Sequence, residues 1–74
     1  MTNYKFTAVI EKDEDGWFAR VPELDGCYTQ GDSYEEVLEN LKDVIRLHLE
    51  DRLEAGEAIP KMESLSLTTL EVAV

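Results

Sequence analysis

The residues from Pro22 to Glu36 run Pro-Glu-Leu-Asp-Gly-Cys-Tyr-Thr-Gln-Gly-Asp-Ser-Tyr-Glu-Glu, and they leave the chain few folding options. Gly26 and Gly31 bracket four residues, and glycine accepts backbone angles that other residues resist. This spacing predicts a turn over 22–26, a short strand over 27–30 and a second turn. Ser33 and Glu36 then fit a capping box. In that box the serine hydroxyl accepts from the Glu36 backbone N–H, and the Glu36 carboxylate reaches back to the Ser33 N–H. A helix therefore starts near Tyr34. Fifteen residues carry the chain from strand to helix, and none of them has an evident catalytic role.

Upstream, Tyr4, Phe6, Ala8 and Ile10 alternate with Lys5, Thr7, Val9 and Glu11. Period-two alternation with aromatic and β-branched residues predicts a strand over 4–11. Residues 12–16 are polar and end in Asp-Gly, a hairpin signal. Residues 17–21 return as a second strand, which Pro22 ends because it has no N–H for a ladder. The result is a three-stranded meander. Downstream, Val37, Leu38, Leu41, Val44 and Ile45 recur at helical spacing, and His48 and Arg52 continue that stripe. Leu47, Leu49 and Leu53 lie off its centre and offer a second contact. Gly56 and Pro60 place the helix end near Glu54 or Ala55.

The final stretch has Leu65 and Leu67 on one parity and Leu70, Val72 and Val74 on the other. A bulge near Thr68 and Thr69 would reconcile them, which predicts a fourth strand over 66–73. The expected fold is α+β, β-β-β-α-β, with a four-stranded sheet in the order 3-2-1-4 and one helix on one face. The other sheet face keeps apolar side chains and is expected to be an interaction surface. No repeat, low-complexity tract or linker divides the chain, so residues 1–74 read as one domain.

Composition narrows the chemistry. Seventeen acidic and seven basic residues give a net charge of −10, which disfavours nucleic-acid binding and favours a basic partner or plain solubility. Cys27 is the only cysteine and His48 the only histidine, so neither a disulfide framework nor a metal-binding cysteine cluster can form. A domain this small buries only about 60% of its unfolded surface, so self-association is expected to help it. With no signal-peptide pattern and no apolar run near the ~18 residues of a membrane span, a cytoplasmic location is expected.

Weighed singly, the reactive side chains point away from catalysis. Metal-assisted phosphoryl chemistry needs converging carboxylates. Strand one has Thr7-Ala8-Val9 at its middle and Glu11 only at its end. Glu39, Asp43 and Glu71 form no compelling cluster with it. His48 reads as a packed or partly exposed structural residue, and Cys27 as a small buried hydrophobe. No catalytic residue, cofactor or metal is expected. Trp17 reads either as core or as an exposed interface anchor.

Three blocks carry a family resemblance. They are Asp15 to Trp17, Ala19 to Ser33 (Ala-Arg-Val-Pro-Glu-Leu-Asp-Gly-Cys-Tyr-Thr-Gln-Gly-Asp-Ser), and Glu35 to Leu41 (Glu-Glu-Val-Leu-Glu-Asn-Leu). With the helix exit at Glu54 to Pro60, they resemble the HicB antitoxins across about residues 4–60. The last strand matches only loosely. The resemblance implies a partial ribonuclease-H-like fold and a partner, the small basic HicA toxin, which cleaves messenger RNA. HicB neutralises HicA by covering its active surface. Many members carry a further DNA-binding domain, for which a chain ending at Val74 leaves no room. The resemblance thus implies an antitoxin of a type II toxin–antitoxin system, expected as a homodimer or higher homo-oligomer. Its acidic tip, Asp13, Glu14 and Asp15, together with Trp17, Glu23 and Asp25, is expected to meet the basic partner, the acidic groups mimicking RNA phosphates. A degenerate metal-dependent nuclease on this scaffold and a stand-alone protein-binding module are the alternatives.

Overall fold

The computed structural model describes residues 3–61 and 64–74. Three antiparallel strands form one sheet: β1 (Val9–Asp13), β2 (Gly16–Arg20) and β3 (Tyr28–Gly31), in the order β1-β2-β3. One helix follows, α1 (Tyr34–Glu54). The hairpin pairs Asp13 with Gly16 and Val9 with Arg20. Its turn is Glu14-Asp15, and the Asp15 N–H donates to Asp13 Oδ1 at 2.8 Å, the Asx bond that makes aspartate a turn former.

β1 begins five residues later than the alternation at Tyr4 to Ile10 suggests. The Thr7 N–H donates to Glu23 Oε2 at 2.8 Å, so the backbone there is tied to a side chain and not to a ladder. Phe6 still packs against the core, and the Tyr4 and Phe6 rings stack with centroids 6.5 Å apart.

The larger correction concerns the end of the chain. Among the described residues the sheet has three strands, not four in the order 3-2-1-4, and residues 64–74 form no strand. The ribonuclease-H-like arrangement, which needs that fourth strand, is not what the chain adopts. The apolar parity of this stretch switches across Thr68-Thr69, so no single face of a strand made from it is apolar throughout. Its side chains are exposed, with Leu67 and Leu70 each at 80%.

The core consists of Ala19, Val21, Leu24, Cys27, Val37 and Leu41, all buried. Three of these come from the link between β2 and β3. The Val21 N–H donates to the Cys27 carbonyl (3.0 Å), the Leu24 N–H to Val21 (3.1 Å) and the Cys27 N–H to Leu24 (3.2 Å). The turn is closed by these bonds and points Leu24 inward as a plug. Gly26 sits at φ +75°, where a side chain would be strained. Gly31 serves a different purpose. A Cβ there would meet the Val37 backbone nitrogen at 2.8 Å, so glycine lets the first turn of α1 press onto β3.

The serine half of the expected capping box forms, and no bond from the Ser33 N–H to the Glu36 carboxylate is found among the described residues. The Glu36 N–H donates to Ser33 Oγ at 3.0 Å, and Ser33 is extended (φ −145°, ψ 166°). At the other end the Gly56 N–H donates to the Leu53 carbonyl and the Glu57 N–H to that of Arg52, with Gly56 at φ +74°. This is a Schellman stop. Val37 and Leu41 are fully buried, Val44, Ile45 and His48 half-buried, and Leu47 and Leu53 exposed. The helix lies over β2 and β3 and does not approach the β1 backbone.

Candidate partner-binding face

Strand pairing sorts the side chains of the sheet onto two faces, because directly paired residues point the same way and neighbours along a strand alternate. Ile10, Lys12, Trp17, Ala19, Thr29 and Gly31 share the face under the helix. Val9, Glu11, Phe18, Arg20, Tyr28 and Gln30 share the opposite one, which no element among the described residues covers. Phe18 and Val9 are half-buried there, while Tyr28 stands 71% exposed. Val9, Glu11, Phe18, Arg20 and Tyr28 are among the residues that line a shallow depression of about 130 Å³ on this side. It is an aromatic and aliphatic strip with a carboxylate and a guanidinium at its margins. Such a strip, flat and unpartnered, suits contact with a protein surface better than enclosure of a small molecule.

The residues expected to meet a partner fall in different places. Asp13, Glu14 and Asp15 are exposed at the hairpin tip, and Asp13 shares the open face with Val9 and Glu11. Asp25 is exposed in the turn that follows the other end of β2, so the two acidic loops are separated by the length of that strand, about 15 Å. Trp17 lies on the helix side. Its ring meets Tyr34 edge-on at 5.6 Å and carries Lys12 Nζ 5.7 Å from its centre, so it closes the rim of the core. Glu23 is half-buried, with Oε2 holding Thr7, while its Oε1 is buried without a hydrogen-bond partner among the described residues. Sequence reasoning missed Phe18 and Tyr28 as a pair. The signal was available, since Phe18 and Tyr28 immediately precede Ala19 and Thr29 on their strands, and neighbours of a core position such as Ala19 point the other way.

The other reactive groups do not assemble. Glu39 pairs with Lys42 (3.4 Å) and Asp43 with Arg46 (3.3 Å), all exposed on the helix. Among the described residues no three His, Cys, Asp or Glu side chains gather as metal ligands. Cys27 is buried, and desolvation pushes its thiol pKa upward, against nucleophilic use. Among the described residues no helix is long and apolar enough to cross a membrane.

Comparison with known proteins adds a family. A sequence model of the HicB-like antitoxins of bacterial toxin–antitoxin systems matches residues 6–72. A UPF0150 protein of Helicobacter pylori is 52% identical over 67 residues, covering 89% of this chain and 92% of its own. A UPF0150 protein of Thermoplasma acidophilum is 42% identical over 65 residues, 86% and 94% of the two chains. One from Synechocystis is 36% identical over 72 residues, 96% and 90%. No solved structure matches the chain.

Proposed function

This chain belongs to the HicB-like antitoxin family of bacterial toxin–antitoxin systems, and on that premise we propose that it neutralises a HicA-like, mRNA-cleaving toxin by occluding the toxin's active surface. The observation that carries the reading is the uncovered sheet face, where Phe18, Tyr28 and Val9 form an apolar strip edged by Glu11 and Asp13. The strip supplies the buried centre of an interface, and the hairpin tip supplies charge opposite to that of an RNA-binding toxin. A surface that binds RNA is basic, and a chain of net charge −10 is drawn to it as RNA is. Occlusion asks for no chemistry from this chain. It acts in the cytoplasm, where its target is, and does not bind nucleic acid itself. Trp17 and Glu23 contribute by holding the sheet edge and the N-terminal segment, and Asp25 lies at the outer margin of the contact.

Co-expression with the product of a neighbouring basic reading frame, followed by pull-down and growth rescue, tests this. Rescue by the native chain that is lost in the Phe18→Ala/Tyr28→Ala pair is expected. Rescue by that pair equal to the native chain's would remove the open face from the mechanism.

A further inference from the structure

The chain carries seven cationic side chains against seventeen acidic ones, and most of the seven are engaged. Lys42 pairs with Glu39, Arg46 with Asp43 and Arg52 with Glu57, while Lys12 lies over the Trp17 ring. Lys5 and Lys61 line a trough beside the N-terminal segment, off the sheet. Arg20 is different. It is the last residue of β2, on the open face, in register between Val9 on β1 and Tyr28 on β3. Among the described strand residues it is the one cation on that face. It is exposed, and among the described residues it makes no ion pair, although Glu11 shares its face and Asp25 lies in the turn beyond it.

Two depressions meet at this residue. Arg20 and Tyr28 line the apolar one of about 130 Å³, with Val9 and Phe18, and also a second of about 310 Å³ that runs toward Pro22 and Asp25. A protein surface seated on Phe18 and Val9 therefore meets the guanidinium as well. That group presents five N–H donors in one plane, a fork that fits a carboxylate through two parallel bonds. Tyrosine and arginine are also residue types in which interfaces concentrate their binding energy.

Net charge explains attraction but not choice. A chain of net charge −10 draws any basic protein, since long-range attraction reads little beyond total charge. Choosing among basic partners needs a contact that penalises the wrong one. We propose that Arg20 is that contact: it receives a carboxylate of the toxin, beside an apolar side chain that enters the depression of Val9, Phe18 and Tyr28. The assignment rests on the toxin-occluding role proposed for this face. A basic protein that brings a lysine or arginine to the same spot is rejected by like-charge repulsion. The partner is thus basic overall, yet it carries an acidic residue next to an exposed apolar one at the point of contact.

Arg20→Glu separates the two effects by sign, because it replaces a positive charge by a negative one and makes the chain more acidic still. Were total charge to govern binding, this variant would hold a basic toxin more tightly. The Arg20 contact requires the reverse, a loss of about 30-fold in affinity, the scale of an interface hot spot. Lys42→Glu makes the same change of charge on the exposed side of the helix and should bind at least as tightly as the native chain. Titration calorimetry of these chains against the product of the neighbouring basic reading frame reads the difference. Changing the toxin's surface carboxylates one at a time to lysine should recover binding to Arg20→Glu at one position. Equal or tighter binding by Arg20→Glu, or no recovery at any position, would overturn the proposal while leaving occlusion intact. No binding by the native chain would overturn both. Should Arg20→Glu lose its helical circular dichroism, Arg20→Gln, which removes the charge and also leaves the chain more acidic, replaces it with an expected loss of about tenfold.

Discussion

Two glycines that look alike in the sequence do different things. Gly26 is needed for its positive φ, whereas Gly31 is needed because Val37 leaves no space for a Cβ. Gly31→Ala therefore pushes a Cβ against the Val37 backbone, which no rotamer change relieves. It should cost about 1–3 kcal/mol, the usual range for overpacking, read as a lower urea midpoint at unchanged m. Cys27 offers a second test. Its folded-state pKa is raised by burial above the ordinary value of 9.0, so the folded state favours the protonated thiol. That contribution is fully present below about pH 9 and is lost as pH rises through the folded pKa, since only the unfolded chain ionises freely there. Stability should fall more steeply above pH 9 in the native protein than in Cys27→Ala, as measured by urea midpoints across pH 7.5 to 10.5.

At the level of elements, punctuation residues were the most readable part of the chain. Ser33 caps α1 and Gly56 ends it, because orphan N–H and C=O groups need particular partners whatever the fold. Ser33→Ala should cost about 1 kcal/mol in thermal or urea unfolding, and Ser33→Asp should restore most of it. Strand extents were less legible. Alternation from Tyr4 onward suggested a strand, but the Thr7 N–H goes to Glu23. Alternation reports which residues can sit on a face and says nothing about whether a neighbouring strand exists. The turn at 22–26 was readable as a turn, yet the burial of Leu24 was not, since one leucine in a loop has no periodicity to give it away. Residues 64–74 repeat the lesson more strongly: strand-like composition made them a fourth strand in expectation, and the sheet stops at three.

For the whole molecule, the surface is divided by what covers it. One sheet face holds the helix and the core; the other presents Phe18 and Tyr28; the hairpin tip carries Asp13, Glu14 and Asp15 beside that open face. Changing the three tip residues to Lys should weaken toxin association and flatten its salt dependence, because screening over a Debye length of ~8 Å at physiological salt acts on these exposed charges. Binding measured at 50 and 300 mM salt checks this, and identical curves for both proteins would remove the tip from the interface. The same substitutions should leave stability within about 0.5 kcal/mol, since among the described residues their side chains make only the local bond at Asp13.

The sequence by itself determined the meander, the two helix ends, the amphipathic face of α1 and, through its ordered turns, the family. Each of these rests on interactions among residues close in the chain, where residue type and spacing suffice. Tertiary structure alone decided which residues each loop buries, that Trp17 seals the core while Phe18 and Tyr28 face outward, that the two acidic loops lie at opposite ends of β2, and that the last eleven residues lie outside the sheet. These outcomes depend on where the helix settles, and it settles over β2 and β3 because Gly31 lets it come close there.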